Sequence, residues 1–110
     1  MALAAIASVI QRYLDAVTEA GIPVEAAVLF GSYAKGLEHE NSDIDLLVLS
    51  PRFDQQKTQQ DISLLWRVRA RTDARIEPIA AGIREFAEDE GSPILCIARS
   101  EGIMIPYPAG

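Results

Sequence analysis

The sequence predicts an α/β fold of the α+β kind, in which a small mixed β-sheet is packed against helices. Short apolar runs typical of strands occur at 24–30, 43–50, 74–80 and 103–107. The segments between them contain apolar residues at helical spacing. Because strands alternate with helices along the chain, one sheet covered by helices accounts for both patterns.

The first third of the chain is predicted to form a helix followed by a buried strand. Over 3–20, apolar residues recur every three or four positions and make one helical stripe. The stripe consists of Leu3, Ile6, Ile10, Tyr13, Leu14 and Val17. Gly21 and Pro23 are expected to end the helix, since proline cannot continue one. The strand at 24–30 then ends at Gly31.

The middle of the chain is predicted to contain a second strand and a second long helix. The strand at 43–50 is apolar on both faces beyond its first residues, as expected in the middle of a sheet. The helix spans 54–71, and either Asp54 or Thr58 is suited to cap it. Trp66 lies on the apolar stripe of this helix and is predicted to be a core residue.

The last third is predicted to form a strand, two short helices and a final strand. Pro78 lies within the strand at 74–80 and indicates an edge position or a bulge. An acidic helix over 82–90 follows. Ser92 is expected to cap the last helix, with Pro93 at its first position, and the strand at 103–107 comes after it.

Composition and charge indicate a folded domain and exclude several classes of protein. Of 110 residues 49% are hydrophobic, so a single domain over 1–110 is expected rather than a disordered chain. The net charge of −6 argues against a protein that binds duplex nucleic acid. No apolar run reaches the about 20 residues that span a membrane. The single cysteine, Cys96, cannot form an intrachain disulfide and is predicted to be buried, and a cytoplasmic protein is expected.

Two aspartates at the start of the second strand are the first candidates for a functional site. On a strand, the side chains of Asp43 and Asp45 project from the same face, about 7 Å apart. At an effective dielectric constant of about 20, two unit charges at this distance repel each other by about 2.5 kcal/mol. A divalent cation would offset this repulsion, and Mg²⁺ prefers oxygen ligands of this kind. The pair therefore predicts a magnesium site.

A Gly-Ser pair, separated from Asp43 by ten residues, predicts a phosphate-binding turn. Gly31 and Ser32 follow the first strand directly, and the next residues are suited to begin a helix. Backbone N–H groups at such a turn bind anions, and the Ser32 hydroxyl and Lys35 would add donors. Ser42, beside the aspartates, completes the candidate nucleotide-binding residues. A phosphate-binding turn next to a metal-binding pair of carboxylates is the arrangement that phosphoryl or nucleotidyl transfer requires.

A third carboxylate is expected, because a site that holds two metal ions needs more than two ligands. Glu77 is the first candidate, since it lies on the next predicted strand, where it can approach Asp43 and Asp45. Asp73, at the start of the same strand, is the alternative.

The segment VLFGSYAKGLEHENSDIDLLVLS strongly resembles the DNA polymerase β-like nucleotidyltransferases, in particular their small branch, the minimal nucleotidyltransferases. This resemblance implies a palm-like core, with Gly31 and Ser32 at the nucleotide triphosphate. It also implies that Asp43, Asp45 and Glu77 are catalytic and bind two magnesium ions. Glu77 departs from the aspartate that is commoner in this family.

The resemblance also implies a reaction and a partner. The reaction would be Mg²⁺-dependent transfer of a nucleoside monophosphate, AMP from ATP, to an acceptor hydroxyl. The partner would be a helical HEPN-type toxin, which proteins of this branch pair with as antitoxins and which some of them adenylylate. The alternative is a non-catalytic binding module that neutralises such a toxin by complex formation. A drug-modifying nucleotidyltransferase is less favoured. The small size of the domain is compatible with a homo- or hetero-oligomer, although no segment of the sequence indicates an interface.

Overall fold

A computed structural model describes residues 3–39 and 42–108, so residues 1, 2, 40, 41, 109 and 110 of the predicted domain lie outside the described residues. It confirms the predicted class, a mixed α/β fold with helices packed on a small mixed sheet. The helices are α1 (Leu3–Glu19), α2 (Ser32–Lys35), α3 (Arg52–Gln55), α4 (Gln59–Thr72), α5 (Ile83–Glu88) and α6 (Pro93–Glu101). The strands are β1 (Ala26–Phe30), β2 (Ile44–Leu49), β3 (Ile76–Ala81) and β4 (Ile103–Pro106).

The four strands form one sheet in the order β3-β2-β1-β4. β1 is antiparallel to both of its neighbours, whereas β2 and β3 are parallel and α4 lies in the connection between them. The edge position that Pro78 predicts for β3 is confirmed, because a residue without an N–H is tolerated where one side of a strand is unpaired. These directions bring the end of β1 and the starts of β2 and β3 to the same end of the sheet.

The sheet is covered by helices on both faces. On one face, five residues of the predicted α1 stripe are buried with residues of α4 such as Leu65 and Val68; they are Ile6, Ile10, Tyr13, Leu14 and Val17. The side chain of Leu3, the sixth residue of the predicted stripe, lies outside the described part of the structure. Tyr13 of α1 is fully buried, and its hydroxyl donates to the Leu65 carbonyl oxygen at 2.8 Å. On the other face, Leu95 and Ala98 of α6 pack against apolar residues of β1 and β2. The sheet is therefore buried on both faces.

The prediction of one continuous helix over 54–71 is wrong, because the structure has two helices there, α3 and α4. Gln56 between them has extended backbone angles, φ −162° and ψ 138°. Of the two candidate caps, Thr58 begins α4, and its Oγ1 accepts the Asp61 N–H at 3.0 Å. Asp54 lies in α3 instead and accepts backbone N–H groups of α5, a contact far along the chain that local spacing does not reveal.

Two predicted core residues are not buried. Trp66 is 40% exposed, and its ring lies 4.5 Å from the guanidinium carbon of Arg69, which covers one side of it. Cys96 is half-buried, and its Sγ donates to the Glu90 carbonyl oxygen and accepts from Arg99 Nη2, both at 3.6 Å. Both predictions were wrong, because residue type and helical spacing do not fix how much of a side chain the neighbouring elements cover.

Among the helices of the described residues, none is both long enough and apolar enough to cross a membrane.

Candidate active site

Three of the predicted site elements meet at one end of the sheet. In the strand register, Phe30 of β1 is paired with Asp45 of β2, and Asp45 is paired with Glu77 of β3. Gly31 follows Phe30 directly, and Asp43 comes just before β2. The turn and the three candidate carboxylates therefore belong to neighbouring strand ends.

Gly31 is in direct contact with the Asp45 carboxylate. Its φ of +75° and ψ of −150° lie in a region that side-chain-bearing residues rarely adopt. A β-carbon built at position 31 would overlap Asp45 Oδ2 and would lie 3.1 Å from Asp45 Cγ. A glycine is required here both by the backbone angle and by the space that Asp45 occupies.

The three carboxylates also act on one another electrostatically. Burial raises the pKa of Asp45, and the charge of Asp43 raises it further. Burial likewise raises the pKa of Glu77, with added contributions from the charge of Asp43, a hydrogen bond to Asp43 and the charge of Asp45. Repulsion that is not offset by a neighbouring cation is unfavourable for folding, so the cluster would be relieved by a bound metal ion.

Arg69 is a basic side chain close to this cluster. Its Nη1 donates to the carbonyl oxygens of Ala74 at 2.9 Å and of Ile76 at 3.1 Å, next to Glu77. Its charge lowers the pKa of Glu77, although burial and the neighbouring carboxylates outweigh this effect. Arg69 therefore holds the beginning of β3 while it offsets part of the negative charge.

The donor chemistry of the cluster fits Mg²⁺ in part. Asp43, Asp45 and Glu77 supply only oxygen ligands, as Mg²⁺ prefers. Within the described ranges 3–39 and 42–108, however, no group of three or more Asp, Glu, His or Cys side chains is arranged to hold a metal ion. Mg²⁺ in nucleotide sites is commonly bound by one or two carboxylates, with phosphate oxygens and water as the other ligands. The cluster fits this mode rather than an all-protein cage.

The remaining candidate nucleotide-binding residues are placed around the turn. Ser32 is the first residue of α2 and is half-buried. Lys35, at the other end of α2, forms an exposed ion pair with Glu101, with Nζ and Oε1 3.2 Å apart. Ser42, which directly precedes Asp43, is 6% exposed, and its Oγ accepts the His39 N–H at 2.8 Å. The Ser42 hydroxyl therefore has a structural hydrogen bond, and its nucleotide-binding role stays a prediction.

Asp73, the alternative third carboxylate, is engaged by Arg75. Asp73 Oδ1 accepts from Arg75 Nε at 3.0 Å, and Oδ2 accepts from Nη2 at 2.7 Å. This hydrogen bonding with Arg75 is the main reason that the pKa of Asp73 lies below its ordinary value. The geometry therefore favours Glu77, which faces Asp45, over Asp73 as the third member of the cluster.

Sequence reasoning missed one contact of the site, between Arg75 and Tyr33. Arg75 Nη1 donates to the Tyr33 hydroxyl of α2 at 3.4 Å, across 42 positions of the chain. The position of Arg75 two residues before Glu77 was a signal for a role at the site, but local spacing does not show a contact across 42 positions.

The comparison with known families decides the class of this site. The family model described as "Nucleotidyltransferase domain" matches residues 10–91, a segment that includes the turn, Asp43, Asp45 and Glu77. The chain belongs to this nucleotidyltransferase family. The nucleotidyltransferase is 36% identical over 85 residues to a Methanocaldococcus jannaschii protein named as a protein adenylyltransferase. The match covers 73% of this chain and 53% of the relative, so the chain spans about half the length of that protein.

Solved structures share the fold of this nucleotidyltransferase. A crystal structure of a Sulfolobus solfataricus protein named as a nucleotidyltransferase is similar at a TM-score of 0.64 with 15% identity, over 89% of this chain and 77% of that one. A toxin–antitoxin crystal structure with AMP-PNP is similar at a TM-score of 0.56 with 23% identity, over 86% of this chain and 70% of that one. At these identities the likeness concerns the fold.

Proposed function

We propose that this nucleotidyltransferase transfers AMP from ATP to a hydroxyl group of a partner protein. The observation that carries the proposal is the position of Asp45, against the Gly31 backbone on one side and paired with Glu77 on the other. A phosphate-binding turn in contact with metal-binding carboxylates would serve a single nucleoside triphosphate. The name of the M. jannaschii relative, a protein adenylyltransferase, supports both the AMP group and the protein acceptor.

In the proposed mechanism, the turn binds the triphosphate and the carboxylates bind metal. Gly31 and Ser32 would hold phosphate oxygens, and Asp43, Asp45 and Glu77 would hold Mg²⁺. When bound, two Mg²⁺ ions would neutralise phosphate charge and polarise the acceptor hydroxyl.

The transfer itself exchanges one phosphorus–oxygen bond for another. The acceptor oxygen bonds to the α-phosphorus, the bond from the α-phosphorus to the bridging oxygen breaks, and pyrophosphate leaves. The hydroxyl proton passes to Glu77, the carboxylate that the strand register pairs with Asp45. Lys35 would exchange Glu101 for a phosphate oxygen, since both partners of that ion pair are half exposed to solvent.

We also propose that the protein is the antitoxin of a toxin–antitoxin pair, with a helical HEPN-type toxin as its partner. The toxin–antitoxin neighbour that contains AMP-PNP supports this assignment. Ile94 and Ile97, three positions apart on α6, are 44% and 43% exposed and offer apolar surface to a partner protein.

The test uses ATP labelled at the α-phosphate, with Mg²⁺ and the protein encoded beside this one. Label is expected on the partner, and the Asp43→Asn/Asp45→Asn double variant should lose the transfer at least about 100-fold, because it removes two metal ligands. Glu88→Gln is the matched control, since Glu88 is an exposed carboxylate on α5 that forms an ion pair with Arg84. Full labelling by the double variant would disprove the mechanism.

The alternative is neutralisation by binding alone, and the exposed isoleucines of α6 are equally compatible with it. It predicts a stable complex, no labelled partner, and unchanged neutralisation by the Asp43→Asn/Asp45→Asn variant. Loss of neutralisation together with loss of labelling would instead support the catalytic function.

A further inference from the structure

Arg75 contacts both halves of the candidate site. Its carbonyl oxygen accepts the N–H of Ile44 at 2.8 Å, and Ile44 lies between Asp43 and Asp45 on β2. Its guanidinium Nη1 reaches the Tyr33 hydroxyl at 3.4 Å, and Tyr33 follows Ser32 in α2. One residue therefore joins the carboxylate strands to the helix that carries the Gly31–Ser32 turn.

The Arg75 side chain is held in place by Asp73. Two side-chain hydrogen bonds of 3.0 and 2.7 Å orient the planar guanidinium, and Asp73 Oδ1 also accepts the Arg75 backbone N–H at 2.9 Å. Each guanidinium nitrogen is thus a donor: Nε and Nη2 to Asp73, and Nη1 to Tyr33. Because the guanidinium group is planar, the bonds of Nε and Nη2 to the Asp73 carboxylate also fix the direction of Nη1.

Tyr33 connects the Arg75 guanidinium to the Gly31–Ser32 turn. Tyr33 is 8% exposed and belongs to the same core cluster as the buried residues of α1, so packing fixes its ring. Its hydroxyl accepts from Arg75 Nη1. α2 has only four residues, and its own helical hydrogen bonds cannot hold it firmly against the sheet. The contact of the Tyr33 hydroxyl with Arg75 ties this short helix to the residue just before β3.

We propose that Arg75 is a positioning residue, which acts through Tyr33 to set the Gly31–Ser32 turn against Asp43, Asp45 and Glu77. The proposal rests on the proposed nucleotidyl transfer at this site. A competing role would be direct contact of Arg75 with the triphosphate. The geometry favours positioning, because the Arg75 charge is already paired with Asp73 and its remaining guanidinium nitrogen, Nη1, donates to the Tyr33 hydroxyl.

The kinetic test compares Tyr33→Phe, Arg75→Ala and the double variant in Mg²⁺-dependent transfer from ATP. Tyr33→Phe removes only the hydroxyl and keeps the packed ring. Each single substitution is expected to lower kcat about 10-fold with a smaller change in KM for ATP, since misplacement by a fraction of an ångström weakens alignment in the transition state. The double variant should be no slower than the slower single variant, because both remove the same link.

Arg75→Lys separates positioning from phosphate contact. Lysine keeps the charge but cannot bond to Asp73 and Tyr33 at once, so it should behave like Arg75→Ala. Recovery of activity by Arg75→Lys, an increase in KM alone, or an unchanged kcat in Tyr33→Phe would overturn the proposal. Arg84→Ala is the control, because Arg84 also pairs with a carboxylate, Glu88, but on the exposed surface of α5.

A second readout does not depend on the reaction. Amide hydrogen exchange over residues 31–36 should become at least several-fold faster in Tyr33→Phe and Arg75→Ala, and should stay unchanged in Arg84→Ala. Unchanged exchange in both site variants would disprove the positioning role. If the wild-type protein transfers nothing to any acceptor while exchange still increases, the proposed function fails and the structural link stands.

Discussion

The Asp45 carboxylate occupies the space beside the Gly31 α-carbon in which a side chain at position 31 would lie. The contact couples two parts of the site that are 14 positions apart in the sequence. The turn can keep its shape only if residue 31 has no side chain, and Asp45 can keep its position only under the same condition. A change at either residue is therefore expected to disturb the other.

Gly31→Ala tests this coupling. The new methyl group would overlap Asp45 Oδ2, and the backbone at φ +75° is strained for alanine. We expect the free energy of unfolding to fall by about 1–3 kcal/mol, and nucleotidyl transfer to fall at least about 100-fold because Asp45 is displaced. Urea denaturation and labelling with α-labelled ATP measure the two effects.

Gly21→Ala is the matched control for backbone strain. Gly21 has a φ of +110°, and a β-carbon there would meet no atom within 4 Å. It should lose about 1–2 kcal/mol of stability and keep its activity once the protein is folded. If both variants lost activity equally, the contact with Asp45 would not be the cause.

The short-range part of the fold and site could be predicted from the sequence. Pro93 and Ser92 mark the start of α6, and Pro78 marks an edge strand, because these effects depend on neighbouring atoms of the chain. The turn at Gly31 and the spacing of Asp43 and Asp45 are equally local. The family match to residues 10–91 spans these motifs and confirms the predicted family.

What the sequence did not reveal depends on contacts between distant segments. Asp54 was a candidate cap for the helix that follows it, yet its carboxylate accepts N–H groups of Ile83, Arg84 and Glu85, about 30 positions away. The link from Arg75 to Tyr33 is of the same kind. Neither contact follows from periodicity or propensity, because each requires the strand order to be known.

Asp45→Asn is expected to stabilise the protein at neutral pH. Burial and the charge of Asp43 raise the pKa of Asp45, so the folded protein holds this proton more tightly than the unfolded chain. The stability contributed by the proton is present at acid pH and is lost as the pH rises through the raised pKa. The variant should therefore have a higher thermal midpoint than the wild type at pH 7, and the difference should vanish below about pH 4.

The control for that comparison is Glu88→Gln, an exposed position where the same change of charge should alter the free energy of unfolding by less than about 0.5 kcal/mol. A lower midpoint for Asp45→Asn at pH 7 would mean that the carboxylate stabilises the folded state, contrary to the direction of its pKa.

Addition of Mg²⁺ is expected to stabilise the wild-type protein at neutral pH without nucleotide. A cation offsets the mutual repulsion of Asp43, Asp45 and Glu77, and a ligand at ten times its Kd stabilises the folded state by about 1.4 kcal/mol. The Asp43→Asn/Asp45→Asn variant should show no such increase in a magnesium titration followed by thermal unfolding. Equal stabilisation of both proteins would place the bound ion elsewhere.

Asp54→Ala should destabilise the protein without affecting the chemistry of the site. The Asp54 carboxylate accepts the N–H groups of Ile83 at 2.9 Å and of Arg84 and Glu85 at 3.1 Å, and so joins α3 to the start of α5. Although burial acts to raise the pKa of Asp54, the hydrogen bonds from Arg84, Glu85 and Ile83 lower it overall. The stability it contributes is therefore present at neutral pH and is lost as the pH falls through that lowered pKa.

We expect the thermal midpoint of Asp54→Ala to be lower by roughly 5 °C at pH 7, as for the loss of a helix cap in a small domain. The difference from the wild type should shrink in acid, where the wild-type carboxyl is also protonated. Gln55→Ala, at the neighbouring exposed position of α3, is the control and should leave the midpoint unchanged. Transfer activity measured well below the midpoint should be the same in all three proteins, because Asp54 contacts α5 and not the turn or the carboxylates. A loss of activity in Asp54→Ala at a temperature where it is fully folded would show that α5 contributes to the site.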